Sequence, residues 1–543
     1  MAAETKVAKE FKDIFELGGV PAFNQFYQFG IFIWKYLYKG YYEPWHLIPA
    51  PTIVDPFHKR QMFRLDLAKA TCAELAGLIW SEQCDVNVNR KGWEPSEAEP
   101  EDILDRYIHK VLCENGFWTK MQGAIEQNLA LGGEALKVWF EDFKKDGQPV
   151  YKLNADGSTK VDSDGYAVVD GCVRIGYCMA DQFIPTAWTN AEVTEGVFIS
   201  RQAKNGYYWT KLEWHKWDGD TYVVTNELYR AEIPKNGESQ DILGMRYPLD
   251  AMFPELNERT EIHGLERSLF SYFKTPMANN IDDNSPLGIS IYANALATLH
   301  ALDICYDSFV REFRLGKKRI IVPARCIRTV TDPETGQPRR YFDATDETYE
   351  ALNTEDPDSL KIQDNSVELR VEEHVEAMNA HLSILCLQLG FSAGTFTFDI
   401  HGGLKTATEV VSEASKTYKT VKTHQAQIRS AVERLVDNII AVACMYSVEF
   451  EGEDVASMVK GGYEVKIQFD DSIIQDRQTN INEGILLVSN GLMSKTRFLT
   501  DPKYGQGLTE EDAAAELERI AQERKAQINS LTVDRLDFNT TEV

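Results

Sequence analysis

Apolar residues recur at helical spacing over a long stretch of the 543-residue chain, from Leu404 to Tyr446. The stretch contains neither Gly nor Pro, and it opens with the capping box Thr406-Ala-Thr-Glu409, which can satisfy backbone N–H groups of a first helical turn. One helix of roughly 40 residues would be about 60 Å long. That length is typical of a coiled coil, a repeat array or the spine of a large oligomer, and we call this segment the spine helix.

Two more amphipathic segments precede the spine helix. The first runs from Ser285, a natural N-cap, to Gly316, and the second runs from Val371 to Leu389 with apolar residues in steps of four and three. Residues 317–369 between them are rich in turn residues, and residues 391–403 form a loop rich in Gly, Thr and Phe. The pattern predicts two long helices that bracket an excursion, with the second leading through the loop into the spine helix.

The N-terminal half changes from helical spacing to strand-like alternation. Helical spacing covers Arg60 to Trp80 and Asp102 to Leu131, and the second of these segments is interrupted at Asn115-Gly116. From residue 134 to residue 246, short aromatic and β-branched runs alternate with Asp-Gly pairs, which predicts an antiparallel meander. Near the C terminus we expect a strand from Tyr463 to Phe469 and then short helices. The fold class predicted is therefore α+β and mainly helical.

Composition indicates a globular protein, since 43% of the residues are hydrophobic and 11% are aromatic. The formal net charge of −27 argues against tight non-specific binding to nucleic acid, which depends on Lys and Arg at the phosphates. Acidic walls could still let DNA pass without holding it. The 9 cysteines include no Cys-x-x-Cys pair and residues 1–16 are charged and polar, so we expect synthesis in a reducing cytoplasm.

Several motifs suggest chemistry, but none completes a catalytic site. Gly402-Gly403-Leu404-Lys405-Thr406 resembles half of a phosphate-binding loop, yet Leu404 stands where a Gly must precede the Lys. His374 and His381 lie two helical turns apart, about 10 Å, which is too far to share a metal. Neither a Gly-x-Ser-x-Gly elbow nor a dinucleotide fingerprint occurs. We therefore expect no cofactor, no metal and no enzymatic activity.

Two other functions stay open at this point. The pairs Asp282-Asp283 and Asp470-Asp471 could bind divalent ions in a nuclease or another DNA-processing enzyme, although each pair is also typical of a turn or a helix start. The aromatic segment Phe29 to Tyr38 could make the protein a peripheral membrane scaffold, but it carries Lys35 and is too short to span a bilayer. An aromatic packing or interface helix explains this segment better, and no membrane segment is predicted.

The order of the elements, taken together with two motifs, is specific enough to suggest a protein family. Phe313-Arg-Leu-Gly-Lys-Lys-Arg319 ends the first long helix, and Lys405-Thr-Ala-Thr-Glu409-Val opens the spine helix. From about Tyr36 to Ile528, the chain resembles the portal proteins of tailed bacteriophages, in particular the siphophage subfamily typical of Gram-positive hosts. This resemblance implies a portal fold with a β-rich region in the wing, two stem helices, a small α/β clip, the spine helix and a helical crown.

The resemblance also implies a position for each region in the chain. The wing corresponds to residues 1–284, with the meander at 134–246. The stem helices correspond to residues 285–316 and 370–390, the clip between them to 317–369, and the tunnel loop to 391–405. The spine helix and the return to the wing correspond to residues 406–474 and the crown to 475–528, and residues 529–543 form a disordered tail.

The function implied by the resemblance is structural. It is that of a dodecameric ring at the unique capsid vertex of the virion, made in the host cytoplasm, through which double-stranded DNA is packaged and ejected. The implied partners are further copies of the chain, viral DNA, the terminase motor, the head–tail adaptor, and the major capsid and scaffolding proteins, without a membrane.

Three groups of candidate site residues follow from this interpretation. The DNA-facing candidates of the tunnel loop are Phe391, Thr395, Phe396, Thr397, Phe398, Asp399, His401 and Lys405. The candidates for docking of the motor or adaptor at the clip are Lys317, Lys318, Arg319, Arg325 and Arg328. The candidates for an acidic channel wall on the stem helices are Asp303, Asp307, Glu372, Glu373 and Glu376.

Overall fold

The computed structural model describes most of the chain outside the segment between the two predicted stem helices. The described residues are 17, 20, 25–52, 55–81, 83–95, 99–145, 148–154, 156–161, 165, 167–189, 192–233, 243–316, 320–321, 328–331, 336, 338–341, 363–364, 368–398, 407–469, 477–501, 504, 508–509 and 512–521. Helix accounts for 40% and strand for 28% of the structure, which confirms an α+β protein.

The helices are numbered in chain order. They are α1 (Gln25–Tyr38), α2 (Glu43–His46), α3 (Leu67–Ile79), α4 (Ile103–Glu114), α5 (Phe117–Leu131), α6 (Leu296–Leu315), α7 (Val371–Leu389), α8 (Ala407–Met445), α9 (Val455–Met458), α10 (Arg477–Ser489) and α11 (Lys495–Thr500), followed by a helical stretch at 512–521.

The strands are numbered in the same way. They are β1 (Leu47–Pro49), β2 (Lys59–Gln61), β3 (Asp85–Arg90), β4 (Gly133–Asp142), β5 (Lys144–Lys145), β6 (Gln148–Pro149), β7 (Gly171–Met179), β8 (Phe183–Thr189), β9 (Glu192–Lys204), β10 (Tyr207–Asp218), β11 (Thr221–Glu232), β12 (Met245–Tyr247), β13 (Arg259–Ile262), β14 (Phe270–Lys274), β15 (Ile320–Ile321), β16 (Arg328–Thr331), β17 (Pro338–Tyr341), β18 (Gln363–Asp364), β19 (Glu449–Phe450), β20 (Glu453–Asp454) and β21 (Tyr463–Gln468).

Helix α8 runs through the main hydrophobic core. It spans 39 residues without a break, which confirms the prediction of one long spine helix. Val421, Leu435 and Ile439 are completely buried at helical spacing, in one cluster with residues of α3, α5, β4 and β14. The Ser271 hydroxyl of β14 donates a hydrogen bond to the Ala431 carbonyl at 2.9 Å. The C-terminal half of α8 is therefore held by packing on several sides.

The predicted meander is confirmed in the sheet ordered β12–β11–β10–β9–β8, with β13 also paired to β11. All of these pairings are antiparallel, and Asp218 pairs with Thr221, so Gly219 lies in the two-residue turn between β10 and β11. Strands β4 and β7 instead form a separate sheet with β14. The alternating region therefore contributes to two sheets rather than one.

Two helix boundaries follow the sequence closely. The predicted interruption at Asn115-Gly116 separates α4 from α5, and the Asn115 side chain is buried with its amide donating to the carbonyls of Val111 and Val173. Helix α7 begins at Val371 and ends at Leu389, as predicted, and Gly390 follows in the left-handed conformation with φ of 84°. Both boundaries depend on local residues that end a helix.

The first stem helix is a correction to the sequence prediction, because it begins at Leu296 and not at Ser285. The residues between them are irregular and mostly buried. The Ile291 amide donates to the Leu129 carbonyl at 3.0 Å, and a Cβ atom on Gly132 would lie 2.4 Å from the Gly288 carbonyl oxygen. This segment therefore closes against the end of α5 instead of continuing a helix.

Candidate functional site

Helices α6 and α7 form an antiparallel pair at the ends of the segment 317–369. The Arg370 guanidinium donates from Nε and Nη2 to Glu312 Oε1 and Oε2, at 3.1 and 3.0 Å. This two-point hydrogen bond holds the pKa of Glu312 below its ordinary value. The rings of Phe309 and His374 meet one turn further along, with centroids 5.8 Å apart. The C-terminal end of α6 is thus fastened to the N-terminal end of α7.

Asp303 and Asp307 do not face solvent, which corrects the expectation that they line a channel. Both residues are buried and bind the segment that carries β1 and β2. Arg60 donates from Nη1 and Nη2 to the two carboxylate oxygens of Asp307, at 2.7 and 2.5 Å, and the Phe63 amide donates to the same carboxylate. The Leu65 amide donates to Asp303 Oδ1 at 2.9 Å. The two acids therefore join the stem helix to the N-terminal region.

His46, which directly precedes β1, completes this junction at the same end of the β1–β2 hairpin. Its Nδ1 accepts the Tyr42 amide at 2.9 Å, which leaves Nε2 to donate to Asp303 Oδ2 at 3.2 Å. The Trp45 ring stacks on His300 of α6, with centroids 4.6 Å apart. No pattern in the sequence pointed to His46 or Arg60, because their partners lie more than two hundred residues away.

The acids Glu372, Glu373 and Glu376 are exposed on α7. Glu372 and Glu373 lie in its first turn, where negative charge stabilises a helix. Their exposure leaves them able to face a channel or a neighbouring molecule.

The loop after α7 has a buried base and an exposed tip. Phe391 is only 1% exposed and contacts the ring of Phe396, and the Ser392 amide donates to Thr417 Oγ1 of α8 at 2.8 Å. Phe391 therefore anchors the loop and does not face DNA, which corrects its assignment as a contact residue. Thr395, Thr397 and Phe398 are exposed.

The loop is also fastened to both neighbouring helices. Thr420 Oγ1 of α8 donates to the Gly390 carbonyl at 2.8 Å, and Lys416 Nζ donates to the Leu387 carbonyl at 2.9 Å. The Phe398 amide donates to Asn379 Oδ1 of α7 at 2.9 Å. The start of the loop is therefore fixed in direction. The candidates Asp399, His401 and Lys405 lie outside the described residues.

The clip candidates are described only in part. Lys317, Lys318, Arg319 and Arg325 lie outside the described residues, and Arg328 begins β16, which pairs antiparallel with β17. Ile320 of β15 pairs with Asp364 of β18, so the two ends of the segment 317–369 run side by side. This pairing continues the antiparallel arrangement of α6 and α7.

The family model described as "Phage portal protein, SPP1 Gp6-like" matches residues 35–530 of the chain. The chain belongs to this phage portal family. A search of curated proteins found no match. The resemblance carried by the two motifs and the order of elements is thereby confirmed, and the roles of a portal protein at the capsid vertex and in DNA packaging belong to this chain.

The portal family is structural, and the alternatives raised by the sequence gain no support. Asp282 accepts the Asn284 amide at 3.2 Å in a turn, whereas Asp470 and Asp471 lie outside the described residues. Among the described residues, no group of three or more His, Cys, Asp and Glu side chains is placed to hold a metal ion.

The aromatic segment of this portal protein lies in α1, which packs into the core. Trp34 and Leu37 are buried, and the Tyr292 hydroxyl donates to the Trp34 carbonyl at 2.9 Å. Within the part of the chain that the structure describes, every helix is too short or too polar to cross a membrane.

Proposed function

We propose that this portal protein assembles into a dodecameric ring whose bore conducts double-stranded DNA during packaging and ejection. The observation that supports this most is the arrangement of α6, α7, the loop and α8. A rigid antiparallel helix pair ends in a loop whose base is buried at Phe391 and whose tip exposes Thr395, Thr397 and Phe398. Such a loop can reach into a bore without losing its direction.

Charge supports the same proposal. The protein has a net charge of −27, and Glu372, Glu373 and Glu376 expose carboxylates on α7. Acidic walls repel phosphates, so DNA moving through the ring would find few fixed cations to stop it. The DNA-facing part of the loop is proposed to be residues 395–398 together with Asp399, His401 and Lys405.

The ends of the stem pair supply the docking platform in this proposal. The segment 317–369 leaves α6 and returns to α7 at one place, where Arg370 binds Glu312. We assign this segment to the terminase motor during packaging and to the head–tail adaptor afterwards. The wing and the crown would face the major capsid and scaffolding proteins.

Electron microscopy of the purified full-length protein tests the ring directly. We expect closed rings of about a dozen subunits, because one repeated head-to-tail contact between rigid helices closes at a fixed rotation. Protein that stays monomeric over a wide range of concentration and ionic strength would contradict the proposal.

A further inference from the structure

The loop of the β1–β2 hairpin presents the aromatic side chain of Phe57 to solvent. Phe57 is 89% exposed at the tip. Its amide donates to Asp55 Oδ1 at 2.9 Å, and the amides of Thr52 and Ala50 close the loop by donating to the carbonyls of Asp55 and His58. These bonds hold the backbone at Phe57, which reduces the ordering of the loop that binding would require, and large aromatic side chains often dominate protein interfaces.

The hairpin is a rigid side arm of the stem. Strand β2 is fixed to α6 by Arg60, which binds Asp307 through two hydrogen bonds. His46, which directly precedes β1, binds Asp303 at the same end of the hairpin. Both carboxylates are buried, so these bonds are little screened by solvent. The base of the hairpin therefore keeps its position relative to α6.

The hairpin and α7 lie on opposite sides of α6. Asp303 contacts the hairpin and Glu312 contacts α7, and nine residues of helix correspond to two and a half turns, or half a rotation. On α7, His374 points toward α6. Glu372 and Glu376 are each two residues away from His374, about 200° around the helix, and therefore point outward. The hairpin, α6 and α7 therefore lie in one row, and Glu372 and Glu376 point outward at the α7 end of that row.

The two ends of the row are complementary in charge. Lys59 is exposed two residues after Phe57, and Arg314 adds a second cation on the same side, with its guanidinium 5.0 Å from the Phe63 ring centre. These two cations outnumber the exposed Asp55 carboxylate of the tip. The outer face of α7 carries two exposed acids one turn apart, and beyond them a small and apolar surface. We define the outer face as Glu372, Glu376, Ala380, Ser383 and Leu387, the last of which is 69% exposed.

We propose that the hairpin tip of one subunit binds the outer face of α7 on the next subunit, with Phe57 packed on its small and apolar residues and Lys59 paired with Glu372 and Glu376. The inference rests on the proposed ring and names the contact that repeats around it. A heterologous contact of this kind joins opposite sides of the same chain and forms a ring when the rotation between neighbouring subunits closes. The contact takes Glu372 and Glu376 out of the acidic channel wall proposed above and leaves Glu373, which is turned about 100° from Glu372, as the α7 acid for the bore.

The test measures ring assembly of full-length variants by sedimentation velocity and electron microscopy. Phe57→Ser and Lys59→Glu are each expected to raise the concentration for half-assembly by at least about tenfold, because both remove an anchor of a repeated contact. Leu153→Ser and Lys145→Glu change an exposed apolar residue and an exposed lysine outside the stem, and both variants are expected to assemble like the wild type. Circular dichroism should show unchanged folding in all four variants.

Charge exchange identifies the partner surface. Combining Lys59→Glu with Glu372→Lys and Glu376→Lys should restore assembly to within about threefold of the wild type, since the ion pairs re-form with opposite sign. Absence of this rescue would overturn the assignment to the outer face. Wild-type rings together with normal assembly of Phe57→Ser and Lys59→Glu would overturn the contact while leaving the ring intact, whereas absence of wild-type rings would refute the proposed function itself.

Discussion

Arg60 binds Asp307 through two parallel hydrogen bonds, although 247 positions separate the two residues. This pair, with the Phe63 amide on the same carboxylate, ties the N-terminal region to the stem helix α6. A planar guanidinium facing a carboxylate fixes direction as well as distance. Any force on the stem is therefore transmitted to the β1–β2 hairpin, and any force on the hairpin reaches the stem.

Asp307→Asn is expected to lower the free energy of unfolding by about 2–4 kcal/mol, because it leaves the partly buried Arg60 without a charged partner. Burial alone would raise the pKa of Asp307, but the bonds from Arg60 and Phe63 hold it below the ordinary value. The Arg60–Asp307 pair therefore stabilises the fold above the pKa that Asp307 has in the unfolded chain. This stabilisation is lost as pH falls through the pKa of Asp307 in the folded protein. Urea unfolding between pH 3 and pH 7 measures both effects.

Asp66→Asn is the matched control for that variant, since Asp66 pairs with Arg64 at a more exposed site. This variant should lower the free energy of unfolding by less than about 1 kcal/mol. Equal losses of unfolding free energy in the two variants would show that the Arg60–Asp307 pair stabilises the protein no more than an exposed ion pair does.

Glu134→Gln is expected to stabilise the protein at neutral pH. Glu134 is completely buried in β4, and neither carboxylate oxygen has a hydrogen-bond partner among the residues that the structure describes. Burial, with a smaller contribution from Asp181, raises the pKa of Glu134 well above its ordinary value. The wild type should therefore lose stability as pH rises from the unfolded pKa through the folded pKa. The variant should gain about 1–3 kcal/mol at pH 7.

Thermal unfolding over a range of pH checks this gain, with Glu74→Gln on the exposed side of α3 as the control. The control should leave the pH dependence unchanged. A Glu134→Gln variant that is less stable than the wild type at pH 7 would contradict the prediction.

His424→Gln is expected to reduce the loss of stability in mild acid. His424 is buried in α8, and burial lowers its pKa to about 4. The pKa of a histidine in the unfolded chain is about 6.5. The protein therefore keeps its full stability with respect to His424 above that pH and loses it as pH falls toward the folded pKa. The midpoint of urea unfolding at pH 5 and pH 7 measures the difference. The exposed His58→Gln should keep the wild-type pH dependence.

Shortening the loop between Ala393 and Phe398 is expected to leave rings intact and to impair DNA packaging, because most of the side chains removed are exposed. Phe391→Ala should instead destabilise the protein by about 3–5 kcal/mol, as expected for a buried aromatic side chain. A packaging assay with purified motor and procapsids, together with unfolding measurements, separates the two effects. Normal packaging by the shortened loop would refute its assignment as the DNA-facing element.

Replacing Lys317, Lys318 and Arg319 by Ala is expected to weaken docking of the motor or adaptor at least about tenfold, because three cations at one helix exit are lost. Rings should form as in the wild type. Binding is measured by surface plasmon resonance on assembled rings at two salt concentrations. Replacing Lys91, Lys145 and Lys460, three exposed lysines outside the stem, by Ala controls for net charge. Unchanged affinity in the clip variant would refute the docking assignment.

Several elements could be predicted from the sequence because their causes are local. Helix α7 carries its apolar seam, its first-turn acids and its terminal Gly390 within one stretch, and α8 lacks any residue that would break it. The interruption at Asn115-Gly116 and the Asp-Gly turn at residues 218–219 likewise depend on neighbouring residues. The motifs that resemble portal proteins are also contiguous, and the family match confirms them.

The candidate site could be predicted only in part, because exposure depends on distant contacts. Asp303 and Asp307 occupy helix positions that could equally face solvent, and Arg60 and His46 bury them. Phe391 lies in a loop rich in small residues, yet its ring enters the core beside α8. These three placements were wrong in the sequence interpretation.

Local sequence was sufficient for the helices, the turns and the family of this protein, since capping, periodicity and turn chemistry act over a few residues. Tertiary structure alone decided that the segment after Ser285 packs irregularly against α5, that two stem acids join the N-terminal region, and that the loop has a buried base. The physical reason is the same in each case. Burial and ion pairing are set by residues that come together only when the whole chain has folded.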